Sequence, residues 1–152
     1  MARQANKLEP QFVPVPTAAN TAAVVVSYFP DSRFEKHLEQ LDRQFDAVFW
    51  VDNTPRQSVE VPQVPNAAIR YIATGENTGL ADALNRGCRE ALDAGYSWAV
   101  TFDQDSSIAA DFLDQQITRW HLSQQPVFML GCNYTDRADK RSPRFKSGRY
   151  VT

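Results

Sequence analysis

Asp103 and Asp105 stand one residue apart behind the apolar run Trp98–Phe102, in the stretch WAVTFDQDSS. In an extended segment, side chains at i and i+2 point the same way. Two like charges then repel, and burying either without a partner is costly. A bound cation answers both problems. Hard carboxylate oxygens suit Mg²⁺ or Mn²⁺, and Mg²⁺ completes its shell with water and substrate phosphates. The pair therefore points to a diphosphate substrate.

A second polar group lies in ENTGLADALNRG. Gly75 and Gly79 allow close backbone approach, and a helix starting near Gly79 turns unpaired N–H groups toward an anion. Asp82 and Asn85 fall in the first turns of that helix, able to face the same cleft. The plainer reading is an ordinary helix start with Asn77 or Thr78 as cap and Asp82 favouring the dipole. Asp52, followed by Asn53, is either a ligand-side carboxylate or the start of a turn.

The elements that must position these residues follow from periodicity. Ala22–Tyr28 is a β-branched run of the kind buried on both sheet faces. Phe34, Leu38, Leu41 and Phe45 recur at helical spacing, and Ser32 with Glu35 has the pattern of a capping box. His37 is placed on that helix's surface. Ala47–Val51 is a second strand, Thr54–Asn66 a loop with three prolines, and Ala68–Ala73 a third strand. Leu80, Leu84, Cys88, Ala91 and Leu92 form the apolar face of a helix that Gly95 ends. Trp98–Phe102 is a fourth, buried strand. Leu113, Ile117 and Trp120 mark another helix, and Val127–Cys132 a fifth strand. Alternation at this spacing implies an α/β sandwich with a mainly parallel sheet. In such sheets ligands bind beyond the carboxyl ends of the strands. Ser27, Tyr28, Asp52, Asn53, Asn77, Gly79, Asp103 and Asp105 all fall there.

The 152 residues suffice for one domain, and 43% hydrophobic with 22% charged residues fits a soluble globular chain. A net charge of −2 argues against nucleic acid as partner. No apolar run spans a bilayer, and the N-terminus lacks a signal peptide's apolar core, so a cytoplasmic place is expected. Cys88 and Cys132 read as two reduced, mostly buried thiols.

Taken together, VVVSYFPD, VDN, GENTGLADALNRGCREAL and TFDQDS resemble the donor half of a family 2 glycosyltransferase, closest to the bacterial rhamnosyltransferases. The resemblance runs from about Val24 to Gly131. It implies a Rossmann-like GT-A nucleotide-diphospho-sugar transferase fold and transfer of a sugar with inversion at the anomeric carbon. By that resemblance Ser27, Tyr28 and Asp52 border the nucleotide, with the Asp52 carboxylate accepting from the base. Asn77, Gly79, Asp82 and Asn85 shape the donor pocket. Asp103 and Asp105 lie by the diphosphate and hold Mg²⁺ or Mn²⁺, Asp105 more directly. A thymidine diphosphate rhamnose donor, a saccharide or lipid-linked acceptor, and a role in bacterial surface polysaccharide are family expectations, as is peripheral contact at the inner membrane face. Residues 1–20 read as a mobile or loosely docked proline-containing leader and 21–133 as the nucleotide-sugar-binding domain. Residues 134–152 read as a basic loop or the start of an acceptor half. Members of the family are about twice this length. The acceptor half with its base is expected beyond the chain's end, leaving a marginally stable or self-associating chain that transfers no sugar.

The alternative is a non-catalytic donor-binding fragment or interaction module. A phosphatase of the haloacid dehalogenase type also uses Asp-x-Asp, but on its first strand and with motifs well downstream. A sugar nucleotidyltransferase needs a Gly-rich loop after the first strand, and SYFPDSR contains no glycine.

Overall fold

The structure, a computed structural model, describes residues 14–55, 68–123, 127 and 129–132. The described elements run β1 (Thr21–Ser27), α1 (Ser32–Asp42), β2 (Val48–Asp52), β3 (Ile69–Ala73), α2 (Leu80–Asp93), β4 (Trp98–Asp103) and α3 (Phe112–His121). The four strands form one sheet in the order β3-β2-β1-β4, and each adjacent pair is parallel. The expected α/β architecture with a parallel sheet is present.

Strand periodicity divides the core in two. Ala23 and Val25 of β1, Trp50 of β2 and Phe102 of β4 pack with Phe34, Leu38 and Leu41 of α1 and Leu113 of α3. On the opposite face Ala22, Val24 and Val26 pack with Phe49, Val51 and the inner side of α2. β1 is therefore buried at every residue, as its unbroken apolar run requires.

β4 departs from the buried strand expected. It is an outer strand among the described residues, with Ala99, Thr101 and Asp103 exposed while Phe102 is buried. The reason is the placement of α2, which lies mainly over β1 and β2 and covers little of β4. Val127 and Met129–Cys132, the described part of the expected fifth strand, carry no strand. Met129 is exposed and Trp120 Nε1 donates to the Val127 carbonyl.

α1 is capped by Asp31, not Ser32. The Asp31 carboxylate accepts from the Arg33 N–H at 2.9 Å, so Ser32 is already helical. His37 is buried, 3% exposed, with its ring against Phe34 and Phe102. It lies in the Phe34–His37–Leu38–Leu41 stripe, at i, i+3, i+4 and i+7, and its polarity disguised an inward position. Gln44, just past α1, joins α3 to this layer: its amide donates to Ala109 O and its carbonyl accepts from Leu113 N.

α2 meets the sheet along part of the stripe expected: Leu84, Cys88 and Ala91 pack against the core. Ala83, Gly87 and Ala91 are its buried residues, whereas Leu80 and Leu92 are exposed. Small residues at i, i+4 and i+8 let the helix axis approach the sheet. Burial raises the pKa of the Cys88 thiol beside this seam. The helix ends as its sequence indicated. Gly95 has φ +94, its N–H donates to Leu92 O, and the Tyr96 N–H donates to Ala91 O. This is the paired arrangement of a left-handed helix terminus. Gly95→Ala is expected to cost roughly 1–2 kcal/mol, the penalty for a Cβ in the left-handed region. Urea denaturation followed by circular dichroism measures it.

Residues 14–20 are docked. Trp98 Nε1 donates to Pro14 O at 2.7 Å, Pro16 is buried, and the 3-10 turn Ala18–Asn20 leads into β1. The chain is therefore tied down some seven residues earlier than the start expected near Thr21.

Candidate functional site

In the order β3-β2-β1-β4 the chain grows from β1 in one direction through β2 and β3, then returns to place β4 on the other side of β1. The change of direction falls between β1 and β4. An open parallel sheet has its ligand crevice at such a point, outside the carboxyl ends of the strands. A cleft of about 270 Å³ lies there, lined by Val26, Ser27, Tyr28, Asn53, Asn77, Leu80, Asp103 and Gln104.

Of the residues expected to meet, Ser27, Tyr28, Asn53, Asn77 and Asp103 line this cleft. Asp82 and Asn85 are exposed on α2 and do not. Gly79 caps α2 with φ +84, a conformation that asks for glycine, and nothing lies within 4 Å of where a Cβ would stand. Its N–H donates to Asn77 Oδ1.

The two aspartates separate. β4 ends at Asp103, and Gln104–Asp105 form a turn closed by the Ser106 N–H on Asp103 O at 3.1 Å. The argument that i and i+2 share a face holds only in extended chain, and the strand has stopped. Asp103 pairs in register with Val26, on the α2 face. Asp105 lines a smaller depression of about 50 Å³ with Asp31, Arg33, Phe34, Gln104 and Ser106. There the Arg33 side chain and then its backbone N–H hold Asp31 below the usual carboxylate range. Asp31 raises Arg33 above its ordinary value, with a smaller contribution from Asp105. Gln104 lines both hollows.

Asp52 is not among the residues that line the cleft. It is 1% exposed, on the α1 side of the sheet. Its Oδ1 accepts from Thr54 N–H at 3.1 Å and Ser27 Oγ at 3.4 Å, and its Oδ2 accepts from Tyr71 OH at 2.9 Å. Ser27 Oγ in turn accepts from Trp50 Nε1. The structure thus brings Ser27 and Asp52 together, both buried, with Ser27 at the cleft and Asp52 outside its lining. Asn53, pointing the opposite way, reaches the start of α2: its amide donates to Asn77 Oδ1, and its carbonyl accepts from the Thr78 N–H and hydroxyl. Sequence reasoning placed Asn53 at the edge without this role and passed over Gln104 and Thr54. The signal for Gln104 was its position between the two aspartates.

Among the described residues, no three His, Cys, Asp or Glu side chains gather to hold a metal, and no helix is long and apolar enough to cross a membrane. The carboxylates of Asp103 and Asp105 are exposed oxygen donors. They line separate hollows, so each offers at most one carboxylate to a cation whose other ligands are water and substrate phosphates, and they do not form a closed protein cage.

Comparison with known proteins gives a consistent result. The family model of glycosyl transferase family 2 matches residues 33–145. A curated relative, the dTDP-rhamnosyl transferase RfbF of Shigella flexneri, is 31% identical over 96 residues, which cover 62% of this chain and 32% of the relative. The match thus spans about a third of the relative's length. No solved structure matches the chain.

Proposed function

Because the chain belongs to glycosyl transferase family 2, we propose that its cleft holds the diphosphate of a nucleotide-sugar donor for transfer of the sugar to an acceptor hydroxyl. The observation that carries this reading is the cleft's position at the turning point between β1 and β4, with Asp103 on its wall. The four-stranded parallel sheet is consistent with a Rossmann-like GT-A fold. The relative's name supports a dTDP-rhamnose donor.

In the reaction proposed, the acceptor oxygen bonds to the anomeric carbon from the face opposite the diphosphate. The bond from that carbon to the diphosphate oxygen breaks, with inversion, and the hydroxyl proton passes to a base. Asp103 and Asp105 would hold Mg²⁺ or Mn²⁺, which when bound neutralises charge on the departing diphosphate. Asn53, through Asn77 and Thr78, fixes the start of α2 and so one wall of the cleft. Val26 and Leu80 supply its apolar lining.

One observation favours a second reading, donor binding without transfer. Among the described residues lining the cleft, Asp103 is the one carboxylate, and it is assigned to the diphosphate. No second carboxylate among those described lining residues is left to take the acceptor proton. Calorimetry of the chain with dTDP, in Mn²⁺ and then in chelator, tests donor binding. Affinity at least about tenfold higher in Mn²⁺ is expected, and Asp105→Asn should lose most of that gain because one hard ligand is neutralised. Equal affinity in both solutions would remove the metal role, and no heat in either would remove the donor site. A parallel assay with dTDP-rhamnose and a saccharide acceptor separates the two readings. Turnover by this chain would establish transfer.

A further inference from the structure

The segment following β1 carries two aromatic residues whose backbone amides are held from opposite sides. The Tyr28 N–H donates to Gln104 Oε1 at 2.6 Å, and the Phe29 N–H donates to Thr54 Oγ1 at 2.9 Å. Gln104 follows β4 and Thr54 follows β2, the two strands that flank β1. Phe29 has φ +46, in the left-handed region, where a bulky residue is strained and persists only when its surroundings over-determine it. Burial does not offset that strain, because Phe29 is 63% exposed and Tyr28 45%. The two rings meet edge to face, centroids 4.7 Å apart, and Tyr28 lines the cleft.

Nothing in the apolar core explains this conformation. The side-chain acceptors on either side do. Thr54 is itself anchored, its N–H donating to the buried Asp52. Gln104 is the residue between the two aspartates, and it borders both the cleft and the Asp105 depression.

We infer that Gln104 and Thr54 are positioning residues that hold the Tyr28–Phe29 aromatic pair at the cleft. Through Gln104, the pair's position is set by the same turn that carries Asp103 and Asp105. A ligand engaging those carboxylates then finds the aromatic wall already placed. The functional part of this inference rests on the reading of the cleft as a donor site.

Amide hydrogen exchange by NMR and dTDP calorimetry test it together. Gln104→Met keeps the length of the side chain and removes the acceptor. Exchange at the Tyr28 amide should rise about tenfold, the scale of one lost hydrogen bond, while Val24 and Val25 amides stay unchanged. Gln104→Glu retains an acceptor oxygen and should keep Tyr28 protected. Thr54→Val should release Phe29 in the same way. For Gln104→Met the dTDP dissociation constant should rise about tenfold with little change in melting temperature. Unchanged Tyr28 exchange in Gln104→Met would overturn the inference. So would unchanged dTDP affinity in a protein whose Tyr28 amide has been released. A wild-type chain that does not bind dTDP would instead sink the donor-site reading, and the exchange measurements would still decide whether Gln104 and Thr54 hold the pair.

Discussion

Gly87→Ala is expected to lower the melting temperature by several degrees, and Gly87→Val to leave little folded protein. A Cβ at position 87 would stand 2.5 Å from Val24 Cγ1 and 2.9 Å from Val51 Cγ2. Both valines are fully buried in the sheet, and β-branched side chains have little rotamer freedom with which to yield. Overpacking of this kind costs about 1–3 kcal/mol. Alanine recovers up to about 1 kcal/mol through its helix propensity, which narrows the loss without reversing it. Valine recovers less and adds two methyl groups at the tightest point of the seam. In a domain whose whole stability is about 5–15 kcal/mol, that difference separates a weakened protein from an unfolded one. Thermal denaturation followed by circular dichroism gives the first number. The same substitution reaches the cleft, because moving α2 outward moves Leu80 and the Asn77 turn on its wall. Gly87→Ala that still folds should therefore bind dTDP more weakly than wild type. A variant as stable and as tight-binding as wild type would show that α2 does not close on the sheet as described.

The same seam shows where sequence reading succeeded and where it failed. β1 was legible because an unbroken β-branched run needs apolar cover on both faces, and the structure supplies it. The end of α2 was legible because Gly95 is a local signal for a left-handed terminus. The inner stripe of α2 was legible in part: Leu84, Cys88 and Ala91 face the core, but apolar bulk gave no signal for Ala83 and Gly87, which close contact selects, and Leu80 and Leu92 are exposed. His37 was misplaced for a related reason: side-chain polarity outweighed a helical spacing that put it among Phe34, Leu38 and Leu41. The convergence of polar residues on one sheet edge follows from parallel topology alone and could be read in advance. Their orientation could not. Asp52 and Asn53 are neighbours that point to opposite faces, so one supports the core and the other the start of α2. Asp103 and Asp105 part because the strand ends between them, and a strand's last residue is among the least legible features of a sequence.

Asp52→Ala is expected to lower the melting temperature by about 6–12 °C, taking roughly 3 kcal/mol at 2–4 °C per kcal/mol for a chain of this size. Tyr71 OH, Thr54 N–H and Ser27 Oγ all donate to this carboxylate, and each buried donor left without an acceptor costs about 1–3 kcal/mol. Asp52→Asn keeps one carbonyl oxygen, and the Tyr71 hydroxyl can rotate to accept from the new amide, so its loss should be nearer 1 kcal/mol. The family resemblance assigns Asp52 a different task, accepting from the donor's base. The two assignments give opposite orders of effect. A base contact predicts that Asp52→Asn weakens dTDP binding while the melting temperature hardly moves. A buried anchor predicts that stability falls first. Binding by the folded fraction then falls because Thr54 is loosened and, with it, the Phe29 amide. The burial of Asp52, at 1% exposure with acceptance at both oxygens, favours the anchor. Melting curves and dTDP titrations on the same two variants decide between them: an unchanged melting temperature with abolished binding would place the Asp52 carboxylate in the cleft and overturn the anchor.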